Sequence, residues 1–132
     1  MRLVPVPSVP TEAVRDLVRE VVDGGDLALY GGDGPLLPAL HLLRFDTPVQ
    51  GEPRPLLPLL PPLPPASLTP VTGVGHALYR SGDLCVALMG PRGAGRVLYL
   101  GCDSAEDPIA VACLEWFSVK RAPSVRSQGG TG

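Results

Sequence analysis

The chain has 132 residues, 18% of them charged, and a formal net charge of -2, which fits a single domain. This low charge and a mean hydropathy of +0.22 exclude an intrinsically disordered chain and a basic nucleic-acid-binding domain. Aromatic residues make up only 5%, which disfavours a base-stacking surface. No apolar run approaches the roughly 20 residues of a transmembrane helix.

The N-terminus lacks the charged and apolar regions of a secretory signal. Cys85, Cys102 and Cys113 are too few and too scattered for a disulfide framework or a zinc site. We therefore expect a reduced, cytoplasmic protein that holds no metal and no cofactor.

The first third of the chain predicts an extended segment, a helix, a strand and a second helix. Residues 4–10 are punctuated by prolines, as at a sheet edge. Thr11 can cap a helix that ends at Gly24-Gly25, since the valines and leucine that follow recur at helical spacing. A short apolar run over 27–30 predicts a strand, and Pro35 with the leucines up to residue 43 predicts another helix.

The last two thirds begin with a proline-rich connection over 48–70, whose fixed φ angles exclude a helix or a central strand. Residues 84–89 and 96–100 are apolar on both faces, which is typical of strands covered on both sides. The glycine-rich link between them predicts an antiparallel hairpin. A final helix begins at Pro108, and 121–132 form a polar tail that we expect to be disordered.

This order of elements predicts an α/β fold: a small three-layer sandwich with a short mixed sheet, a C-terminal antiparallel hairpin and about three flanking helices. The predicted domain organisation is a single domain over 1–120, which includes the proline-rich connection, followed by the tail.

Two segments come near to chemical motifs. Residues 90–97 match the glycines of a phosphate-binding loop, but Arg96 and Val97 replace its lysine and hydroxyl, and a strand follows instead of a helix. Cys102 lies between a strand and a helix, where a thiol can be activated, with His76 or His41 as a base. The neighbouring acidic residues would raise the pKa of this thiol.

The ligand-binding candidates follow two predicted strands. They are Gly31, Gly32 and Asp33 in the first loop and Asp103 and Ser104 in the second. Open α/β sheets bind ligands at the carboxyl ends of their strands. Any pocket in this fold would therefore be lined by these loops.

Three segments together resemble the class I glutamine amidotransferase-like family, which has a flavodoxin-like α/β fold. They are a helix, glycine pair and strand over 16–32, a hairpin over 84–101 with the G-x-G-R-V turn at 93–97, and a closing helix over 107–117. Active members of that family carry a cysteine in a G-x-C-x-G elbow and a histidine after the last strand, and both are missing here.

The resemblance therefore implies a truncated and catalytically degenerate relative. Its expected function is that of a protein interaction or assembly module in a bacterial cytoplasm, bound to a protein partner or to itself, with no nucleic acid and no membrane. The alternative is a small hydrolase or transferase that uses Cys102 with His76.

Overall fold

A six-stranded mixed sheet lies at the centre of the computed structural model, which describes residues 1–129, with side chains up to Ser118. Within these residues the chain forms three α-helices: α1 Thr11–Val22, α2 Leu36–Ala39 and α3 Pro108–Gly129. A 3-10 turn spans Val6–Ser8. The strands are β1 Arg2–Pro5, β2 Asp26–Tyr30, β3 Leu42–Arg44, β4 Val49–Gly51, β5 Arg54–Pro55, β6 Ala66–Leu68, β7 Val71–Gly73, β8 His76–Ser81, β9 Leu84–Arg92 and β10 Gly95–Leu100.

The strand order of the main sheet is β1-β2-β10-β9-β8-β5. β1, β2 and β10 run parallel, with Leu27 paired to Val97, whereas β9 is antiparallel to β10 and β8 is antiparallel to β9. Two small antiparallel pairs, β3 with β7 and β4 with β6, lie outside this sheet. The α/β class with a mixed sheet and three helices is therefore confirmed.

Alternate residues of β2 and β10 face two apolar clusters on opposite sides of the sheet. Leu27 and Val97 belong to the cluster that includes α1 and α2. Ala28 and Leu98 belong to the cluster that includes α3. Each buried leucine or valine contributes roughly 1.5–3 kcal/mol to folding, so helices on both faces stabilise this sheet.

The C-terminal end of α1 is hydrogen-bonded to the turn between β9 and β10. α1 ends at Val22 because Gly24 adopts a φ of 123°, a conformation that other residues rarely take. The carbonyl of Val22 then accepts a hydrogen bond from the Ala94 amide at 2.9 Å, and the Gly25 carbonyl accepts one from Arg96 at 3.2 Å.

The helix predicted from Pro35 to residue 43 is wrong beyond its first turn. α2 ends at Ala39, His41 has a φ of 63°, and β3 begins at Leu42. Leu42 pairs with Gly73 of β7. A long-range strand pairing has replaced the helix that the leucine spacing predicted.

The proline-rich segment is tied to the main sheet. Pro55 of β5 pairs with Tyr79 of β8, whose hydroxyl donates a 2.7 Å hydrogen bond to the Pro61 carbonyl. Leu60 is buried in the cluster under α3. The segment thus covers part of the same face of the sheet as α3.

Domain boundaries and the tail over 121–132 stay predictions, because no described side chain lies beyond Ser118 and residues 130–132 lie outside the described part. No helix among the described residues is long and apolar enough to cross a membrane.

Candidate functional site

The two loops predicted to bind a ligand lie next to each other, beyond the carboxyl ends of β2 and β10. These strands are parallel neighbours, so both of them end on the same side of the sheet. The Gly31 amide donates a 3.0 Å hydrogen bond to the Cys102 carbonyl. The structure therefore brings together the loop of Gly31, Gly32 and Asp33 and the loop of Asp103 and Ser104.

The glycines of the first loop are used for close packing. A Cβ at Gly32 would lie 3.0 Å from the Pro7 ring, and a Cβ at Gly34 would lie 2.9 Å from the Val6 carbonyl oxygen. The Asp33 carboxylate accepts a 2.8 Å hydrogen bond from the Gly34 amide. This loop packs against the 3-10 turn and forms no open cradle for a phosphate.

The polar groups of the second loop are occupied by local hydrogen bonds. Ser104 Oγ accepts from the Glu106 amide at 3.1 Å, and the Asp107 carboxylate accepts from the Ile109 amide at 3.3 Å. The latter bond caps the first turn of α3, as an aspartate commonly does. Asp103 and Ser104 are both exposed.

The Cys102 thiol is buried and protonated at neutral pH. Only 4% of the residue is exposed, and its Sγ donates a 3.2 Å hydrogen bond to the Ser104 carbonyl. Burial, together with the negative charge of Asp107, raises the pKa of Cys102 to about 12. A catalytic thiol needs the opposite shift.

Neither histidine reaches this thiol. His76 pairs with Met89, which pairs with Leu98, so His76 is level with Leu98 across the sheet. Cys102 follows Leu98 by four residues, roughly 13 Å further along the strand direction. His41 lies beside Gly93, in the turn that precedes β10, whereas Cys102 follows the other end of that strand. The structure thus separates Cys102 from His76, the base that the enzyme hypothesis assigns to it.

A buried polar network near the carboxyl end of β10 was missed by the sequence analysis. The Tyr99 hydroxyl donates a 3.0 Å hydrogen bond to the Thr69 carbonyl, and Arg44 Nη2 donates to Thr69 Oγ1 at 3.3 Å. Burial raises the pKa of Tyr99 to about 12, although the nearby Arg44 guanidinium lowers it. No local sequence pattern signals this network, because its members are brought together only by the fold.

An open groove runs between the proline-rich segment and α3, with a volume of about 600 Å³. We call it the α3 groove; it is lined by Leu59, Pro61, Leu63, Glu106, Pro108, Val111, Ala112, Glu115 and Trp116. Leu59 is 75% exposed and Val111 is 52% exposed, whereas Trp116 is 8% exposed. The groove therefore has an apolar lining that includes two carboxylates.

The two carboxylates of the α3 groove come from different parts of the chain. Glu115 lies on α3, seven residues after its first residue Pro108, whereas Glu106 precedes that helix. No group of three or more His, Cys, Asp or Glu side chains among the described residues is placed to hold a metal ion.

No family model matches the chain, and no curated protein matches it either. Its fold is similar to that of several solved structures. A β-galactosidase from Bacillus circulans sp. alkalophilus has a TM-score of 0.59 at 14% identity; the match covers 81% of this chain and 20% of that one. The exo-β-1,4-mannosidase Op5Man5 from Opitutaceae bacterium strain TAV5 has a TM-score of 0.54 at 12% identity. That match covers 95% of this chain and 24% of the mannosidase chain.

A third match is the cytoplasmic protein STM1381 from Salmonella typhimurium LT2, with a TM-score of 0.58 at 16% identity, which covers 82% of this chain and 56% of that one. The chain thus spans about a fifth to a quarter of the two glycosidase chains. At these identities the similarity shows the fold alone.

These matches correct the resemblance to the class I glutamine amidotransferase-like family, which is wrong. The structures found are glycoside hydrolase chains and STM1381. The sequence patterns that suggested the amidotransferase family are a glycine pair after a helix and a glycine-rich hairpin turn. Both arise from general turn chemistry and therefore do not define one family.

Proposed function

We propose that this chain is a non-catalytic α/β domain that acts by protein association and uses the α3 groove as its docking surface. The observation that carries the proposal is the exposure of Leu59 and Val111 on the walls of this groove. Exposed apolar walls with polar residues at their margin are typical of protein interaction sites. The buried, protonated Cys102, which has no base beside it, argues against the enzyme alternative.

The fold supports the same proposal. Helices on both faces of the sheet favour the three-layer sandwich, and the short connection between β9 and β10 favours the C-terminal hairpin.

We infer that the occupant of the groove is the β1 edge of a second copy. β1 lies at the end of the strand order and presents Met1 and Leu3, which are 61% and 44% exposed. Arg2 lies between them in the sequence, but its side chain points to the opposite face of the strand and pairs with Glu20 at 3.1 Å. The apolar edge that Met1 and Leu3 form complements the apolar walls of the groove.

Such a contact joins two different surfaces of the same chain, so it is a head-to-tail interface that closes into a ring or extends into a filament. Mass measurement by light scattering, over a wide range of concentrations, tests the proposal. We expect the wild-type chain to associate and Val111→Glu to be monomeric. The control is Leu43→Glu, which changes a residue on β3 that is 66% exposed, compared with 52% for Val111, and should associate like the wild type.

A mixture of two variants gives the sharper result. Val111→Glu damages the groove and Leu3→Glu damages the edge, so each variant alone should be monomeric. Mixed together, they retain one intact groove and one intact edge and should form a dimer of one copy of each. A chain that is monomeric at every concentration, or variants that associate normally, would refute this function.

A further inference from the structure

The proline run over 61–65 has a burial pattern that repeats every three residues. Leu60 is buried, and Leu63 and Ala66 are partly buried and pack against the cluster under α3. The four residues between them are all exposed; they are Pro61, Pro62, Pro64 and Pro65. Side chains of an α-helix repeat every 3.6 residues and those of a strand every two, so neither element explains this period. A polyproline II helix has three residues per turn and does explain it.

The sequence of the run favours the same conformation. Each proline fixes its own φ near the polyproline II value, and a residue that precedes a proline is held in an extended conformation. Within 60–65, every residue except Pro62 and Pro65 precedes a proline, and the backbone over 61–65 makes no turn or bend. The Tyr79 hydroxyl also donates a 2.7 Å hydrogen bond to the Pro61 carbonyl. The run is therefore ordered before any partner binds.

Two rows of proline rings face away from the domain. Residues three apart in a polyproline II helix lie on one edge, about 9 Å from each other. Pro61 and Pro64 therefore form one row, and Pro62 and Pro65 form the other. No Asp, Glu, Lys or Arg occurs over 55–66, so this surface is apolar and uncharged. Of these four prolines, all within the described residues, only Pro61 lines the α3 groove.

We propose that the two proline rows are a docking surface for a different protein, one whose groove is lined by aromatic side chains. Such grooves bind polyproline II helices that are already formed, because little conformational freedom is then lost on binding. A second copy of this chain does not fit this description. The described residues include every aromatic residue of the sequence, and among them only Phe45 is exposed. The inference does not rest on self-association.

Surface plasmon resonance with the immobilised full chain tests the docking surface. The probes are purified SH3, WW and EVH1 domains, which bind polyproline II helices through aromatic grooves. We expect at least one of the three domains to bind. The matched control is the same domain with an aromatic residue of its groove replaced by alanine, which should not bind. Failure of all three domains to bind, or binding that survives the loss of the aromatic residue, would overturn the proposal.

Variants of the chain locate the contact. The double variant Pro62→Ala with Pro65→Ala removes one exposed row outside the α3 groove and should weaken binding by about tenfold. Pro48→Ala changes an exposed proline outside the run and should bind like the wild type. Leu3→Glu, which damages the β1 edge, should also bind normally, so that self-association does not decide the result. Unchanged binding of the double variant, or an equal loss in either control, would contradict the docking surface.

Discussion

Five ionisable side chains among the described residues have pKa values raised by burial, and all five are acids that lose a proton at high pH. Burial raises the pKa of Cys102, Tyr79 and Tyr99 to about 12, and it shifts the pKa values of Cys85 and Cys113 in the same direction. Because their neutral forms are favoured in the folded state, these groups make the fold sensitive to alkali.

The Cys102 thiol should therefore weaken the fold above pH 9.0. The unfolded thiol ionises near its ordinary value of 9.0 and the folded thiol only near 12. As the pH rises between these values, the unfolded state releases its proton first, so the free energy of unfolding falls. For each such group, the free energy of unfolding then falls by up to about 1.4 kcal/mol per pH unit.

Urea unfolding followed by circular dichroism, at a series of pH values, checks this expectation. Cys102→Ser replaces the thiol by a hydroxyl that does not ionise in this range. The variant should lose stability less steeply with pH than the wild type does. Equal slopes for the two proteins would show that the thiol is not buried as described.

At the level of elements, the turn between β9 and β10 is built to fit against α1. Gly93 has a φ of 63°, and a Cβ there would lie 2.8 Å from the Val22 backbone. A Cβ at Gly95 would collide with the carbonyl oxygens of Val21 and Gly25. These glycines allow the turn to approach the helix closely.

Gly82 provides a matched control for Gly93, since it has the same φ of 63° but open space around its Cα. Gly82→Ala should cost about 1–2 kcal/mol, the penalty of the left-handed conformation alone. Gly93→Ala carries the same conformational penalty, and its Cβ also clashes with Val22. This clash should add about 1–3 kcal/mol to the loss of stability. Chemical denaturation of both variants measures the difference, and equal losses would mean that the turn does not pack on α1.

The elements that sequence analysis predicted well are those whose pattern is local. The valines and leucine of α1 repeat at helical spacing, and Pro108 with the preceding Asp107 marks the start of α3. The segment after Pro35 was misjudged, because its leucines suit a helix face as well as a strand. Only the pairing of Leu42 with Gly73, thirty-one residues later, decides between the two structures.

The candidate site was predictable to a smaller extent. The adjacency of the Gly31 and Cys102 loops follows from the general behaviour of parallel strands, and the sequence analysis anticipated it. The α3 groove depends on segments that are far apart in the chain. Trp116 carries no sequence signal that distinguishes it from an ordinary core residue.

For the whole molecule, the two apolar clusters share the strands β2 and β10, so neither cluster can unfold alone. Trp116, the single tryptophan, reports on the cluster under α3, whereas circular dichroism reports on the backbone as a whole. We expect the urea transitions measured by tryptophan fluorescence and by circular dichroism to coincide.

A substitution on the opposite face tests this coupling. Val21 of α1 is fully buried, and Val21→Ala should lower the free energy of unfolding by about 1–3 kcal/mol as seen by both probes. Val22→Ala removes the same atoms from a side chain that is 47% exposed, so it should change stability much less. A Trp116 transition that does not move with Val21→Ala would show that the two clusters unfold independently.

The proline-rich segment forms one wall of the α3 groove, and its backbone is rigid before any partner binds. Prolines fix the φ angles on both sides of the Leu59–Leu60 pair and of Leu63, and Tyr79 donates a hydrogen bond that attaches the Pro61 carbonyl to the sheet. A stiff wall has little conformational freedom left to lose when it is covered, so ordering it subtracts little from the free energy of binding. Replacing those prolines by alanine should therefore weaken association even where every contacting side chain is kept.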